Sequence, residues 1–124
     1  MRRRLFFLVT FALLFAGEAA AQSRRAECNG RAVRIHPVPG THAMPPYPAI
    51  SQRMGEQGET VLRLRIGTDG SVHEAAVLNS SGSRRLDDAA LNFVRTHWRW
   101  QGAFGCRTAV TQVTVDWRLT DPRP

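Results

Sequence analysis

The chain has 124 residues, a formal net charge of +7 and 43% hydrophobic residues. This length corresponds to about one domain, which excludes a multidomain enzyme and a membrane protein with many spans. All 17 basic residues are arginine, with no basic run longer than two residues after the N-terminal segment.

The first 21 residues have the three parts of a secretory signal peptide. Met1–Arg4 is basic, Leu5–Gly17 carries no charge, and Ala19-Ala20-Ala21 supplies small residues for cleavage. A membrane-spanning helix needs about 20 apolar residues, more than this run contains. We therefore predict that residues 1–21 are removed on export to the periplasm. If they are kept, they would instead anchor the domain at the inner membrane.

Cys28 and Cys106 are the two cysteines of the chain. An even number of cysteines in an oxidising compartment is typical of a disulfide, so we predict one bridge between them. A metal site or a catalytic thiol is the rival interpretation, but neither a CxxC motif nor a paired histidine accompanies these cysteines.

Residues 22–43 are polar and are predicted to form an irregular, proline-containing lead-in. Proline is well placed at the start of a helix, so Pro48 is expected to open a short helix through Met54. Gly55 and Gly58 would end it.

A β-hairpin is predicted next. Alternating apolar residues in Thr60–Ile66 indicate a strand with one buried face. Asp69-Gly70 is a turn signal within the short loop Gly67–Gly70, and a second strand follows at Val72–Leu78.

One long helix and a last strand complete the pattern. Ser83 is the expected helix N-cap, and an apolar stripe at helical spacing follows: Leu86, Ala89, Ala90, Phe93, Val94 and Trp98. Val113, Val115, Trp117 and Leu119 then alternate with polar residues, which predicts a half-buried strand. Trp98 and Trp117 are expected to pack together in the core, while an outward position stays open for Trp100. The order β-β-α-β predicts an α+β fold with a small sheet covered by a helix.

No catalytic site, metal site or cofactor is predicted. The histidines, His36, His42, His73 and His97, have no metal-ligand spacing. Ser80 and Ser81 lack the surroundings of a nucleophile elbow and are interpreted as a turn. The net positive charge is interpreted either as solvated surface or as a guide for anionic partners. Nucleic acid is not expected as a partner of an exported protein.

In order and spacing, these motifs resemble the C-terminal domain of TonB. The resemblance covers about Met44–Leu119 and rests on Pro45-Pro46-Tyr47-Pro48, Gly58, the alternating strand of Thr60, Leu62, Leu64 and Ile66, Asp69-Gly70, Ser80-Ser81-Gly82, Leu86-Asp87-Asp88-Ala89-Ala90, Trp98-Arg99-Trp100 and the alternating last strand.

The resemblance implies a two-layer β-β-α-β sandwich, in which a three-stranded antiparallel sheet packs on one main helix after a short N-terminal helix. It also implies that a peptide of outer-membrane receptors, the TonB box, adds as a strand beside the last strand. The partner-binding residues implied on this basis are Pro45, Pro46, Tyr47, Pro48, Val110, Gln112, Val113, Thr114, Val115, Asp116 and Trp117.

The resulting division of the chain is a signal peptide (1–21), the lead-in (22–43), a TonB C-terminal-like domain (44–120) and a tail (121–124). We expect a non-enzymatic protein that binds a peptide or protein, with outer-membrane receptors as candidates. Three alternatives stay open at this point: a cationic protein that binds anionic polymers or lipids, an anchored energy transducer, and a homodimer formed through the last-strand edge.

Overall fold

A computed structural model describes residues 24–102 and 105–120 of the chain. The predicted signal peptide and the predicted tail lie outside the described residues. The elements in chain order are β1 (Arg24–Cys28), β2 (Arg31–Ile35), α1 (Ala49–Arg53), β3 (Gly58–Gly67), β4 (Val72–Asn79), α2 (Arg84–His97) and β5 (Thr108–Trp117). None of the helices in this part of the chain is long and apolar enough to cross a membrane.

The strands form one antiparallel sheet in the order β2-β1-β5-β3-β4. The α+β fold and the three predicted strands and two predicted helices are confirmed. The predicted number of strands is wrong, because the sheet has five strands rather than three.

The two additional strands, β1 and β2, lie in the segment that was expected to be irregular. Asn29 and Gly30 join them, with φ of 51° and 75°. Positive φ at both central residues is what a type I′ hairpin turn requires, and Asn-Gly is its preferred sequence. Ala26 and Ile35 from the two strands are buried, so the hairpin contributes to the same core as the rest of the sheet.

Helix α2 covers one face of the sheet and contacts β4 and β3. It begins after Ser83, whose hydroxyl accepts a hydrogen bond from the Leu86 N–H at 3.4 Å, as predicted for an N-cap. Leu86, Ala90 and Val94 are fully buried against alternate residues of β3 and β5, namely Leu62, Leu64, Ile66, Val113 and Val115.

Trp100 is buried, with 1% of its surface exposed. The interpretation that its side chain faces outward is therefore wrong. Its backbone explains why. The Trp100 N–H donates to the Gly70 carbonyl at 2.9 Å. This hydrogen bond holds the segment that follows α2, Trp98–Trp100, against the β3–β4 turn. Trp98 is also buried, and its ring stacks on His42 with 4.5 Å between the ring centroids.

Candidate partner-binding site

The last strand, β5, lies inside the sheet, and its two edges are occupied to very different extents. Along one edge, β3 pairs with every residue of β5, from Gly58 opposite Trp117 to Gly67 opposite Thr108. Along the other edge, β1 pairs with β5 only where Glu27 lies opposite Val110. The second edge is therefore the one to which another strand can add.

The direction of the β5 peptide groups follows from the β3–β4 turn. The Gly67 N–H donates to the Ser71 carbonyl at 3.0 Å and so points towards β4. Peptide groups alternate between the two sides of a strand, so those of Ile66 and Leu64 point towards β5. Their partners on β5, Ala109 and Thr111, point back towards β3. By the same alternation, the peptide groups of Thr114 and Asp116 point towards the second edge.

Thr114–Trp117 is the part of this edge that β1 does not reach, and we call it the open segment. If the register of Glu27 with Val110 is continued, Arg24 at the start of β1 falls opposite Val113. Within the described residues, no strand lies beside Thr114–Trp117 on this second edge. The segment therefore offers main-chain donors and acceptors to an extended peptide.

The Pro45–Pro48 stretch lies beside the end of this segment, because Tyr47 packs on Trp117. The two rings meet edge to face, with 5.2 Å between their centroids. The Tyr47 hydroxyl donates to the Glu56 carbonyl oxygen. Burial, with a smaller effect of the Glu56 carboxylate, raises the pKa of Tyr47. Tyr47 is thus a packing anchor that brings the proline stretch to β5.

The other side of Trp117 is held by a polar network that ends on a buried carboxylate. The Trp117 indole N–H donates to Thr60 Oγ1 at 3.1 Å, and this hydroxyl donates to Asp87 Oδ1 at 2.9 Å. The Ser81 N–H and hydroxyl donate to the same carboxylate oxygen at 2.9 and 2.8 Å. Trp117 is therefore held in place before any partner binds.

Asp87 is 7% exposed and stays ionised in this position. Burial opposes its ionisation, but the hydrogen bonds from Ser80, Ser81 and Thr60 outweigh burial and hold its pKa below the usual value. Sequence analysis assigned Asp87 only to the motif that opens the helix. The Ser-Ser-Gly turn preceding a helical Asp was the available signal for its role as an anchor.

The predicted site residues of β5 divide into three groups in the structure. The backbone of Val110 is paired with Glu27 of β1, so it is already occupied within the chain. Val113, Val115 and Trp117 are buried beneath the helix side of the sheet. Gln112, Thr114 and Asp116 lie on the exposed side, where Asp116 accepts a hydrogen bond from Arg118 at 2.6 Å.

The predicted disulfide is present and joins Cys28 to Cys106, with 6.1 Å between their Cα atoms. It ties the end of β1 to the loop that leads into β5. Its position next to the Glu27–Val110 pair could not be foreseen while β1 was expected to be irregular.

The exposed face of the sheet carries arginines at neighbouring positions. Arg25 lies opposite Arg34 in the β1–β2 register, and these two make no ion pair within the described residues. Further across the face, Arg65 pairs with Glu74 at 3.4 Å. A depression of about 400 Å³ lies between Arg63, Arg65 and Val110. The side chains of Thr114 and Asp116, in the open segment, lie on this same exposed face.

A family model described as the Gram-negative bacterial TonB protein C-terminal matches residues 43–119. The chain belongs to this family. The predicted resemblance to the TonB C-terminal domain is thereby confirmed. The β1–β2 hairpin lies before the matched residues.

Curated TonB proteins match the chain over part of its length. Protein tonB2 of Pseudomonas aeruginosa is 41% identical over 56 residues, which cover 45% of this chain and 20% of that protein. Protein TonB of Neisseria gonorrhoeae is 43% identical over 51 residues, or 41% of this chain and 18% of that protein. Protein TonB of Neisseria meningitidis serogroup C is 35% identical over 74 residues, which cover 60% and 24%. The chain thus spans about a quarter or less of these relatives.

The TonB C-terminal domain of Pseudomonas aeruginosa, solved in solution by NMR, has a similar fold. The TM-score is 0.58 at 21% identity, and the match covers 79% of this chain and 98% of that one. This likeness supports the fold that places β5 and its open segment.

Proposed function

We propose that this protein is a periplasmic partner-binding domain of the TonB C-terminal family, to which an extended peptide adds as a strand at Thr114–Trp117. It acts by binding rather than by catalysis. The observation on which the proposal rests is a last strand that is fully paired along one edge and, among the residues that the structure describes, unpaired at the end of the other.

The surroundings of the open segment support this mode of binding. Main-chain groups of Thr114 and Asp116 point towards the free edge, so a partner strand can pair with them without disturbing β3. Tyr47 on one side and the Thr60–Asp87 network on the other fix Trp117. A preorganised edge loses little conformational entropy when a partner binds, which favours affinity.

Outer-membrane receptors are the partners that family membership favours. The curated relatives are TonB proteins, and this chain matches only a fraction of their length. The proposal therefore concerns partner binding by this domain and does not extend to energy transduction by a full-length TonB protein. A mature domain released by signal cleavage would bind receptors as a free module. A retained N-terminal segment would make it an anchored transducer.

Thr114→Pro is the variant that tests strand addition. Proline removes the Thr114 N–H, which points to the open edge, while every ladder bond with β3 is kept. We expect at least a tenfold loss of affinity for detergent-solubilised outer-membrane receptors, measured by pull-down and titration. Thr114→Val is the matched control, because it keeps the N–H, and its affinity should be unchanged.

Proline at Val115 would be a poorer test, because the Val115 peptide group points towards β3 and its side chain is fully buried. Unchanged binding by a folded Thr114→Pro variant would contradict strand addition. If that binding also fell steeply with salt, it would favour the arginine-bearing face and an anionic partner. Self-association that Thr114→Pro abolishes would identify a second copy as the partner.

A further inference from the structure

Strand β1 of the β1–β2 hairpin lies along the same edge of β5 as the open segment. Strand β1 occupies the part of this edge that begins at Val110, and the open segment continues it. Any partner strand that adds to the open segment would therefore meet the start of β1 end to end. The hairpin occupies part of the edge to which Val110 and Gln112 were expected to bind a partner.

The hairpin is firmly docked on the domain. Ala26 and Ile35 are 2% and 1% exposed and belong to the main core. The Thr111 hydroxyl donates to the Arg25 carbonyl at 3.0 Å, across the β1–β5 boundary. After β2, the His36 carbonyl accepts a hydrogen bond from the Gln101 N–H at 2.8 Å. Its attachment therefore does not depend on a single contact.

The Cys28–Cys106 disulfide adds a covalent attachment beside the Glu27–Val110 pair, at the end of β1 that is farther from the open segment. Cys28 follows Glu27, the residue that pairs with Val110, and Cys106 precedes β5 by two positions. A tethered segment competes with a free peptide at a high effective concentration, set by the length of the tether. A peptide in solution therefore has little prospect of replacing β1 at Val110.

We propose that the disulfide-tied hairpin is a fixed stop, which limits the partner strand to Thr114–Trp117 and sets its register. This inference rests on the proposed function. With respect to residues 24–102 and 105–120, the open segment has room for about four paired residues, or about 13 Å of extended chain. Apolar residues at alternate positions, on the helix side, would pack beside Val115 and Trp117. The partner is thus a short extended segment, and a long β-ladder does not fit.

The number of partner residues that can pair with β5 can be measured with the native protein. Synthetic peptides that tile the periplasm-facing segments of the cell's outer-membrane receptors serve as the probes. The peptide that binds is then shortened from either end. We expect affinity to stay level until the peptide becomes shorter than the open segment. A steady gain in affinity with paired length would overturn the stop.

Two variants that differ at one residue test whether the hairpin causes the limit. Both carry Cys28→Ser and Cys106→Ser. One adds Glu27→Pro, which breaks the pairing with Val110, and the other adds Glu27→Ser, which keeps the Glu27 N–H. The readout is the set of backbone amides whose NMR shifts change when the peptide binds. Thermal unfolding confirms that each variant is folded.

In the native protein and the Glu27→Ser control, we expect changes at Thr114–Trp117. In the Glu27→Pro variant, they should extend into Thr108–Gln112, with about tenfold tighter binding from the added main-chain hydrogen bonds. Changes at Thr108–Gln112 in the native protein, or none there in a folded Glu27→Pro variant, would overturn the inference alone. If no peptide binds any form, the proposed function itself fails.

Discussion

At the scale of single residues, Asp87 connects more of the site than any residue singled out from the sequence. Its carboxylate accepts hydrogen bonds from the Ser80–Ser81 turn and from Thr60, which in turn accepts the Trp117 indole N–H. One carboxylate therefore holds the turn before α2 and the end of β5 together. A buried group with this many donors is costly to replace, because each donor would lose its partner.

Asp87→Asn should lower the free energy of unfolding by about 2–3 kcal/mol at neutral pH. The amide NH2 group cannot accept hydrogen bonds, so some of the buried donors that now bond to the carboxylate would lose their acceptor. Urea unfolding measures this change. Asp88→Asn is the control, because Asp88 is exposed and its contact with Arg84 is long, at 3.8 Å. We expect that control to change stability by less than about 0.5 kcal/mol.

The same pair of proteins should differ in pH dependence. The pKa of Asp87 is lowered in the folded state, so its contribution is complete above the unfolded-state value of about 3.9. It is lost as the pH falls through the lower folded-state pKa. The gap between the native protein and Asp87→Asn should therefore shrink in acid below about pH 4. A gap that stays constant to the lowest measurable pH would contradict this account.

At the scale of elements, the β3–β4 turn fixes the exit of the main helix. Gly70 has φ of 81°, and a Cβ built there would lie 1.7 Å from the Trp100 carbonyl oxygen. The sequence indicated the turn through Asp69-Gly70. It did not indicate that the turn closes over the Trp98–Trp100 exit, because that contact joins residues far apart in the chain.

Gly70→Ala should destabilise the protein by at least about 2 kcal/mol, because positive φ is unfavourable for alanine and the Cβ would meet backbone. Gly40→Ala is a matched control. Gly40 has nearly the same φ, 82°, but nothing lies within 4 Å of the position that its Cβ would take. Thermal unfolding should give a much lower melting temperature for Gly70→Ala than for Gly40→Ala. Equal losses of stability would contradict a role for the contact with Trp100, because backbone strain alone would then explain both.

The elements predicted from periodicity are those with long, one-sided patterns. Strand β3, helix α2 and strand β5 each bury alternate or helically spaced residues over at least ten positions, so their sequences show which face is inside. The hairpin was missed because each of its strands has five residues, and its arginines mask the alternation. Asn29-Gly30 was the signal that could have identified it.

The candidate site shows the same division. That β5 is a strand with Val113, Val115 and Trp117 inside could be predicted from alternation. Which part of its edge is unpaired could not, because this depends on where β1 pairs, a contact between residues more than 80 positions apart. The resemblance implied Tyr47 only as a partner-binding residue, and the structure adds that its ring packs on Trp117.

At the scale of the whole molecule, the intact mass of the protein recovered from the cell tests export and the bridge together. Cleavage after Ala21 and oxidation of both cysteines predict the mass of Gln22–Pro124 less two hydrogens, and reduction should restore them. The mass of the full chain in the membrane fraction would instead support an anchored domain.

The disulfide also determines how tension would pass through the molecule. A pull between the chain before Cys28 and a strand bound to β5 has a short covalent path, from β1 through the bridge to Cys106 and then into β5. The residues between the two cysteines form a closed loop that lies off this path. The helix layer and the β3–β4 hairpin would thus be shielded from a force applied at the partner.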